Sequence, residues 1–114
     1  DTLNPIGQNG WFNKNGKRAY FDQQPIDASA MVLAYLTAYE ITKDKHYMEK
    51  AVLAFNWFLG QNHLNQMLYD DLTGGCYDGL GKDSLNLNQG AESTISYLMA
   101  RLMLEEMSRK SQDI

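Results

Sequence analysis

Residues 23–41 read QQPIDASAMVLAYLTAYEI, and how this stretch is taken decides the fold. Pro25 suits the first position of a helix, where its missing N–H is no loss. The run that follows has few polar interruptions: Asp27, Ser29, Thr37 and Glu40. A helix apolar on nearly all sides belongs in an interior. The polar string Thr42-Lys43-Asp44-Lys45 ends it. The entrance QQPIDAS, residues 23–29, has a near-twin in NQGAEST, residues 88–94. Each places amides, then Pro or Gly, then an acid and small residues at the mouth of an apolar run.

The second copy opens a helix expected over 90–108, with Ala91, Ile95, Leu98, Met99, Leu102, Met103 and Met107 broadly apolar. The polar tail 109–114 is expected to fray. Between the two, residues 45–59 set Tyr47, Met48, Ala51, Val52, Ala54, Phe55, Phe58 and Leu59 at helical spacing, with His46, Glu49 and Lys50 on a wet face. Gly60 fits the left-handed stop position. In the leader, residues 1–24, Asn15-Gly16 lies between Trp11-Phe12-Asn13 and Arg18-Ala19-Tyr20-Phe21, the pattern of a short β-hairpin. Residues 61–89 form a long loop whose Gly74-Gly75, Asp78-Gly79 and Gly81 argue against a regular element. Its Leu68, Tyr69, Leu72, Tyr77, Leu80 and Leu85 argue for order, because disordered segments are poor in such residues.

The reading is therefore all-α: three long helices in one domain, residues 1–114, with a hairpin in the leader and an ordered loop before the last helix. A short link makes the first two helices antiparallel neighbours. The shared entrances make the first and third parallel, with the second outside them. Leader and long loop then meet at one end of the molecule.

Bulk properties narrow the partners. Among 114 residues the formal charge is −4, with no cluster of Lys and Arg, so nucleic acid is not an expected partner. The apolar stretch 30–36 is far too short to span a bilayer, and no basic amphipathic face suggests a membrane surface. The single cysteine, Cys76, excludes an internal disulfide framework and fits a reducing, cytoplasmic setting. It lacks a visible base and is not a nucleophile candidate. Every Asn and Gln except Asn56 and Gln112 lies in the leader or the long loop, as do Trp11, Phe12, Tyr20, Phe21, Tyr69 and Tyr77. Amides pair with vicinal hydroxyls and aromatic faces cover the C–H side of a sugar ring. That mixture suits a glycan, although polar amides also populate loops for structural reasons.

The stretches NPIGQNGW, DQQPIDAS, FNWFLGQN, LYDDLTGGCYDGL and NQGAEST resemble a bacterial (α/α)-toroid region, a six-hairpin glycosidase-like fold, associated with group 1 glycosyltransferases. The resemblance implies that this chain is the last hairpin and a half of a larger toroid. It implies a role in glycan metabolism, as an enzyme or as a non-catalytic recognition or scaffolding module of a glycosyltransferase system. Helix one has more apolar surface than two neighbours can cover. The expected partners are therefore the rest of the parent toroid, or a second copy docking through apolar helix faces.

Asp27 and Glu92 have two readings. With Gln24 and Gln89 as N-caps, both acids sit at the third helical position, where they stabilise the dipole by about 0.5–1 kcal/mol each. Alternatively they are paired carboxylates facing one mouth. Glycoside chemistry needs two such groups roughly 5–9 Å apart, and adjacent helices lie about 8–10 Å apart. A helix N-terminus lowers a carboxylate pKa, so these two suit base or nucleophile, and the acid would be Asp78 or a residue outside this chain. Tyr20, Gln23, Gln24, Asn88 and Gln89 are the candidate sugar-binding residues. Asp70, Asp71, Asp78 and Asp83 fail the calcium-loop spacing, and His63 has no partner at ligand spacing, so no metal or cofactor is expected. GLGKDS, residues 79–84, lacks the glycine spacing and preceding strand of a phosphate loop. Trp57 is read as core.

Overall fold

The computed structural model describes residues 2–12, 14 and 16–112. Three helices dominate: α1 (Pro25–Thr42), α2 (Lys45–Asn56) and α3 (Ala91–Gln112). A two-stranded antiparallel ribbon, β1 (Gly79–Leu80) with β2 (Leu85–Asn86), interrupts the long loop. Its register pairs Gly79 with Asn86 and Leu80 with Leu85. Gly81 N–H donates to the Ser84 carbonyl at 2.9 Å, so GLGKDS is the tip of a tight hairpin.

Local chemistry sets the helix limits. Pro25 is the first residue of α1 after N-cap Gln24, and Lys43 closes the helix at φ 60°, its N–H donating to the Tyr39 carbonyl. The next residue, Asp44, caps α2, accepting from His46 N–H at 2.9 Å. α2 ends at Asn56, earlier than its apolar spacing predicts, because residues 57–60 tighten into turns. Gly60, at φ 105°, makes the left-handed stop. α3 runs to Gln112 rather than fraying after Ser108. Arg109 and Lys110 favour its negative end, Lys110 pairs with Glu106, and Ser111 Oγ meets Tyr39 Oη at 3.1 Å.

That last contact, with the events at the other end, gives the helix directions. The residue before N-cap Gln24 bridges Leu80, and Asp78, two residues before Leu80, binds Gly90 at the start of α3. The starts of α1 and α3 are thus joined through β1, and their ends are joined through Tyr39 and Ser111. The two helices run parallel. Trp57, just past α2, donates Nε1–H to Gln23 Oε1 at 2.9 Å, just before α1, so α2 runs the other way.

The core lies where these pieces meet. Ala28, Val32 and Leu36 of α1 face Ala51, Ala54 and Phe55 of α2, and Trp57, Phe58, Leu68, Cys76, Leu80, Tyr97 and Ala100 complete it. Tyr97 of α3 stacks on Tyr69 of the loop at 4.4 Å and 8°. The long loop is ordered as its apolar content predicts. Leu68 and Tyr69 N–H groups donate to the Phe58 carbonyl, and Tyr77 N–H donates to that of Leu68. Asn62, 2% exposed, holds the first turn of the loop, donating to the Trp57 and Gln66 carbonyls at 2.8 Å.

Two expectations change. In the leader the described residues form no strand, and a single bond from Ala19 N–H to the Trp11 carbonyl stands where a hairpin was expected. Asn13 and Asn15 of that hairpin lie outside the described residues. Gly7, Gln8 and Asn9 N–H groups instead reach Ala19, Asp22 and Phe21, folding the leader on itself. Second, the helices expected to be interior are only partly covered by this chain, α1 keeping the apolar surplus that two neighbours cannot cover. Ile26 and Leu33 on α1, and Ile95, Met99 and Leu102 on α3, are 44–61% exposed. The molecule measures 43 × 42 × 23 Å, a slab too thin to cover both sides of its helices.

Candidate functional site

The loop-rich end carries a cleft of about 250 Å³ lined by Gln8, Asp22, Gln24, Asp78, Ser84, Leu85 and Asn86, with the backbone of Gly79 and Gly81 as floor. Three segments build it. The leader brings Gln8 and Asp22, the start of α1 brings Gln24, and the ribbon brings the rest. The bridge between Gln23 and Leu80, bonded both ways at 2.9 and 2.8 Å, fixes leader against ribbon.

Asp78 is tied to α3. Its Oδ1 accepts from Gly90 N–H and Ser93 Oγ–H, each at 2.7 Å. A carboxylate supplied from outside the helix thereby caps the α3 N-terminus, where backbone donors lack partners. A Cβ at position 90 would stand 2.9 Å from that oxygen, so a larger residue there would displace the capping carboxylate. Gln24 makes no side-chain bond to its own helix, and its amide is free to face the cleft. Gln8 lines the cleft from the leader side. Its Oε1 accepts from Trp11 Nε1–H at 3.0 Å, and its side chain also bonds Asp27.

The paired entrances are out of step by one residue. Ala28 N–H reaches the Gln24 carbonyl, while Thr94 N–H reaches that of Gly90. Asp27 is therefore third in α1, but Glu92 is only second in α3. The capping residue before α3 is Gly90, not Gln89, and Ser93 rather than Glu92 takes the place corresponding to Asp27. The acids open onto different surfaces. Asp27 lies in an apolar groove with Leu3, Phe12, Arg18 and Met31. Glu92 borders the α1–α3 groove with Ile26, Leu33 and Met99, and Asp78 lines the polar cleft. Burial raises the Asp27 carboxyl, against the Gln8 bond that lowers it and with help from the Glu92 charge. The lowering expected from the helix N-terminus is thus overturned by desolvation.

The other expected sugar-binding residues divide. Gln23 is 1% exposed, and its amide is used inside the protein, on Trp57, Tyr20 and Asn4. Gln89 bridges Asp70 and Thr73 across the loop, which holds the Asp70 carboxyl low. Asn88 and Tyr20 are exposed, with the Arg18 guanidinium 4.9 Å above the Tyr20 ring. His63 joins ribbon to leader through the Lys82 carbonyl at 3.1 Å and the Phe21 ring at 4.8 Å. Burial, with the Asp78 charge, pushes the Cys76 thiol up to about 12, so it is no nucleophile. Among the described residues, no group of three or more His, Cys, Asp and Glu is placed to hold a metal ion.

No protein-family model matches the chain, and no curated protein matches it. No helix is long and apolar enough to cross a membrane among the described residues.

The cleft residues that sequence reasoning passed over are Gln8, Asp22, Ser84 and Asn86. Asp22 stands directly before the QQP entrance, a signal that was visible. The other three owe their position to the leader fold and the ribbon register, which leave no local trace.

Proposed function

We propose that this chain is a glycan-binding segment of an (α/α) toroid, with the cleft between leader, α1 and ribbon as its sugar site. The observation that carries the reading is the supply of uncommitted polar groups in that cleft. Gln24, Ser84 and the Asn86 amide nitrogen donate to nothing among the described residues, while the walls are held by backbone pairing. Amides and hydroxyls in a preformed cavity match a sugar's hydroxyls without reorganisation. Trp11, Phe12 and Tyr20, each more than half exposed, offer aromatic faces at the same end. Two parallel helices with an antiparallel third are consistent with a toroid, and the bare α1–α3 face is consistent with cover from its remaining helices or from a second copy. A glycan array followed by calorimetry tests the binding. Gln24→Ala and Asn86→Ala should each weaken a retained glycan by about tenfold, the loss of one to two good hydrogen bonds. Absence of any retained glycan, or affinity untouched by both variants, overturns the proposal.

A second reading, glycosidase-like acid–base chemistry in the separate groove that Asp27 lines, is favoured by one observation. Burial raises the Asp27 carboxyl, the direction a general acid requires. Asp27→Asn would then abolish turnover and leave binding intact; unchanged turnover removes Asp27 from any mechanism.

A further inference from the structure

We propose that the cleft at the helix starts selects saccharides carrying a free amino group over neutral and acidic ones, an inference that rests on the glycan-binding reading. The charge of the cleft comes from Asp22 and Asp78, and no Lys or Arg lines it. Among the described residues the ion pairs are Arg101 with Glu105 and Lys110 with Glu106, both well along α3. Neither cleft carboxylate is neutralised by a cation. Nor are their oxygens exhausted internally. Asp78 engages Oδ1 on the α3 start and leaves Oδ2 uncommitted, while Asp22 makes no side-chain hydrogen bond among the described residues. A Cβ at position 81 would press on the Ser84 carbonyl at 3.1 Å, so glycine there lets the hairpin tip close beside Asp22.

An ammonium brings three donors and no acceptor, which two carboxylates can satisfy. Its hydrogen bonds to them are charge-assisted and roughly twice as strong as neutral ones. Gln24, Ser84 and Asn86 remain for the hydroxyls of the same sugar. A uronate or sulfated sugar would set like charge against like, and this repulsion supplies the rejecting half of the selectivity. An N-acetylated sugar meets neither effect.

The full chain is titrated calorimetrically with glucosamine oligosaccharides, their N-acetylated counterparts and galacturonate oligomers of equal length. The free-amine form should bind about tenfold tighter than the acetylated form, with the uronate weakest. Asp22→Asn should remove most of that preference, because the exposed Asp22 side chain holds nothing else in place. In the unaltered protein the preference should also fall with added salt and as rising pH neutralises the amine of the ligand. Equal or tighter binding of the acetylated or uronate form overturns the selectivity, as does a preference that survives Asp22→Asn and high salt. If Gln24→Ala still weakens binding in those cases, the glycan-binding reading stands without it. If none of the saccharides binds, the selectivity falls, and the glycan array alone decides the glycan-binding reading.

Discussion

Gln23 shows how much one buried amide can decide. It accepts from Trp57, donates to Tyr20 and Asn4, and pairs its backbone with Leu80, so leader, α2 exit and ribbon meet on it. Gln23→Ala strands the buried Trp57 N–H and opens a cavity, and should cost about 3 kcal/mol by denaturant titration. Asp27 gives a pH prediction of definite sign. Its folded pKa is raised, so its contribution to stability is fully present below the ordinary carboxylate pKa and is lost as pH rises through the raised value. Asp27→Asn, which keeps an acceptor for Gln8, should therefore stabilise the protein at neutral pH, by less than about 1 kcal/mol after solvent screening. The gain should vanish in acid, where wild-type Asp27 is neutral as well. Melting curves at several pH values check both limbs. Cys76, fully buried with its thiol pushed up to about 12, should stay unmodified by a thiol reagent at neutral pH until denaturant is added.

At the scale of elements, α3 depends on a residue twelve positions before its first bonded donor. Asp78→Ala removes the acceptor for Gly90 and Ser93 and should cost about 1–2 kcal/mol, the range of a lost cap. Asp78→Asn keeps an acceptor and should recover most of that stability, which separates capping from charge. The two apolar runs become helices, as their composition requires. Their mouths look alike in sequence yet differ by one residue in phase, because Pro25 starts α1 while Asp78 recruits Gly90 as the residue before α3. One residue is about 100° around a helix. That rotation is enough to turn Glu92 away from the direction Asp27 takes. No local pattern announces it, since the decisive carboxylate comes from another segment.

The whole molecule is a slab with one bare apolar side. Leu33, Met99 and Leu102 are at least half exposed, so Leu33→Lys or Leu102→Lys should change stability by less than about 0.5 kcal/mol. Side chains already in water lose little on becoming polar. The same variants should raise solubility, read as a higher concentration before light scattering detects association. A loss of stability several times larger would mean that these side chains are packed after all.

The amino-acid sequence alone determined the three helices, their punctuation at Pro25 and Gly60, the order of the long loop and the role of Trp57 as core. These follow from periodicity, capping and turn chemistry, which act over a few residues. The tertiary structure alone decided that Gln23 is a buried crosslink, that Asp78 caps α3 and that Gln8, Asp22, Gln24 and Asn86 share a cleft. It also reversed the direction of the Asp27 shift. Hydrogen bonds across long stretches of chain and the exclusion of water depend on which segments come together, and a sequence read locally does not carry that information.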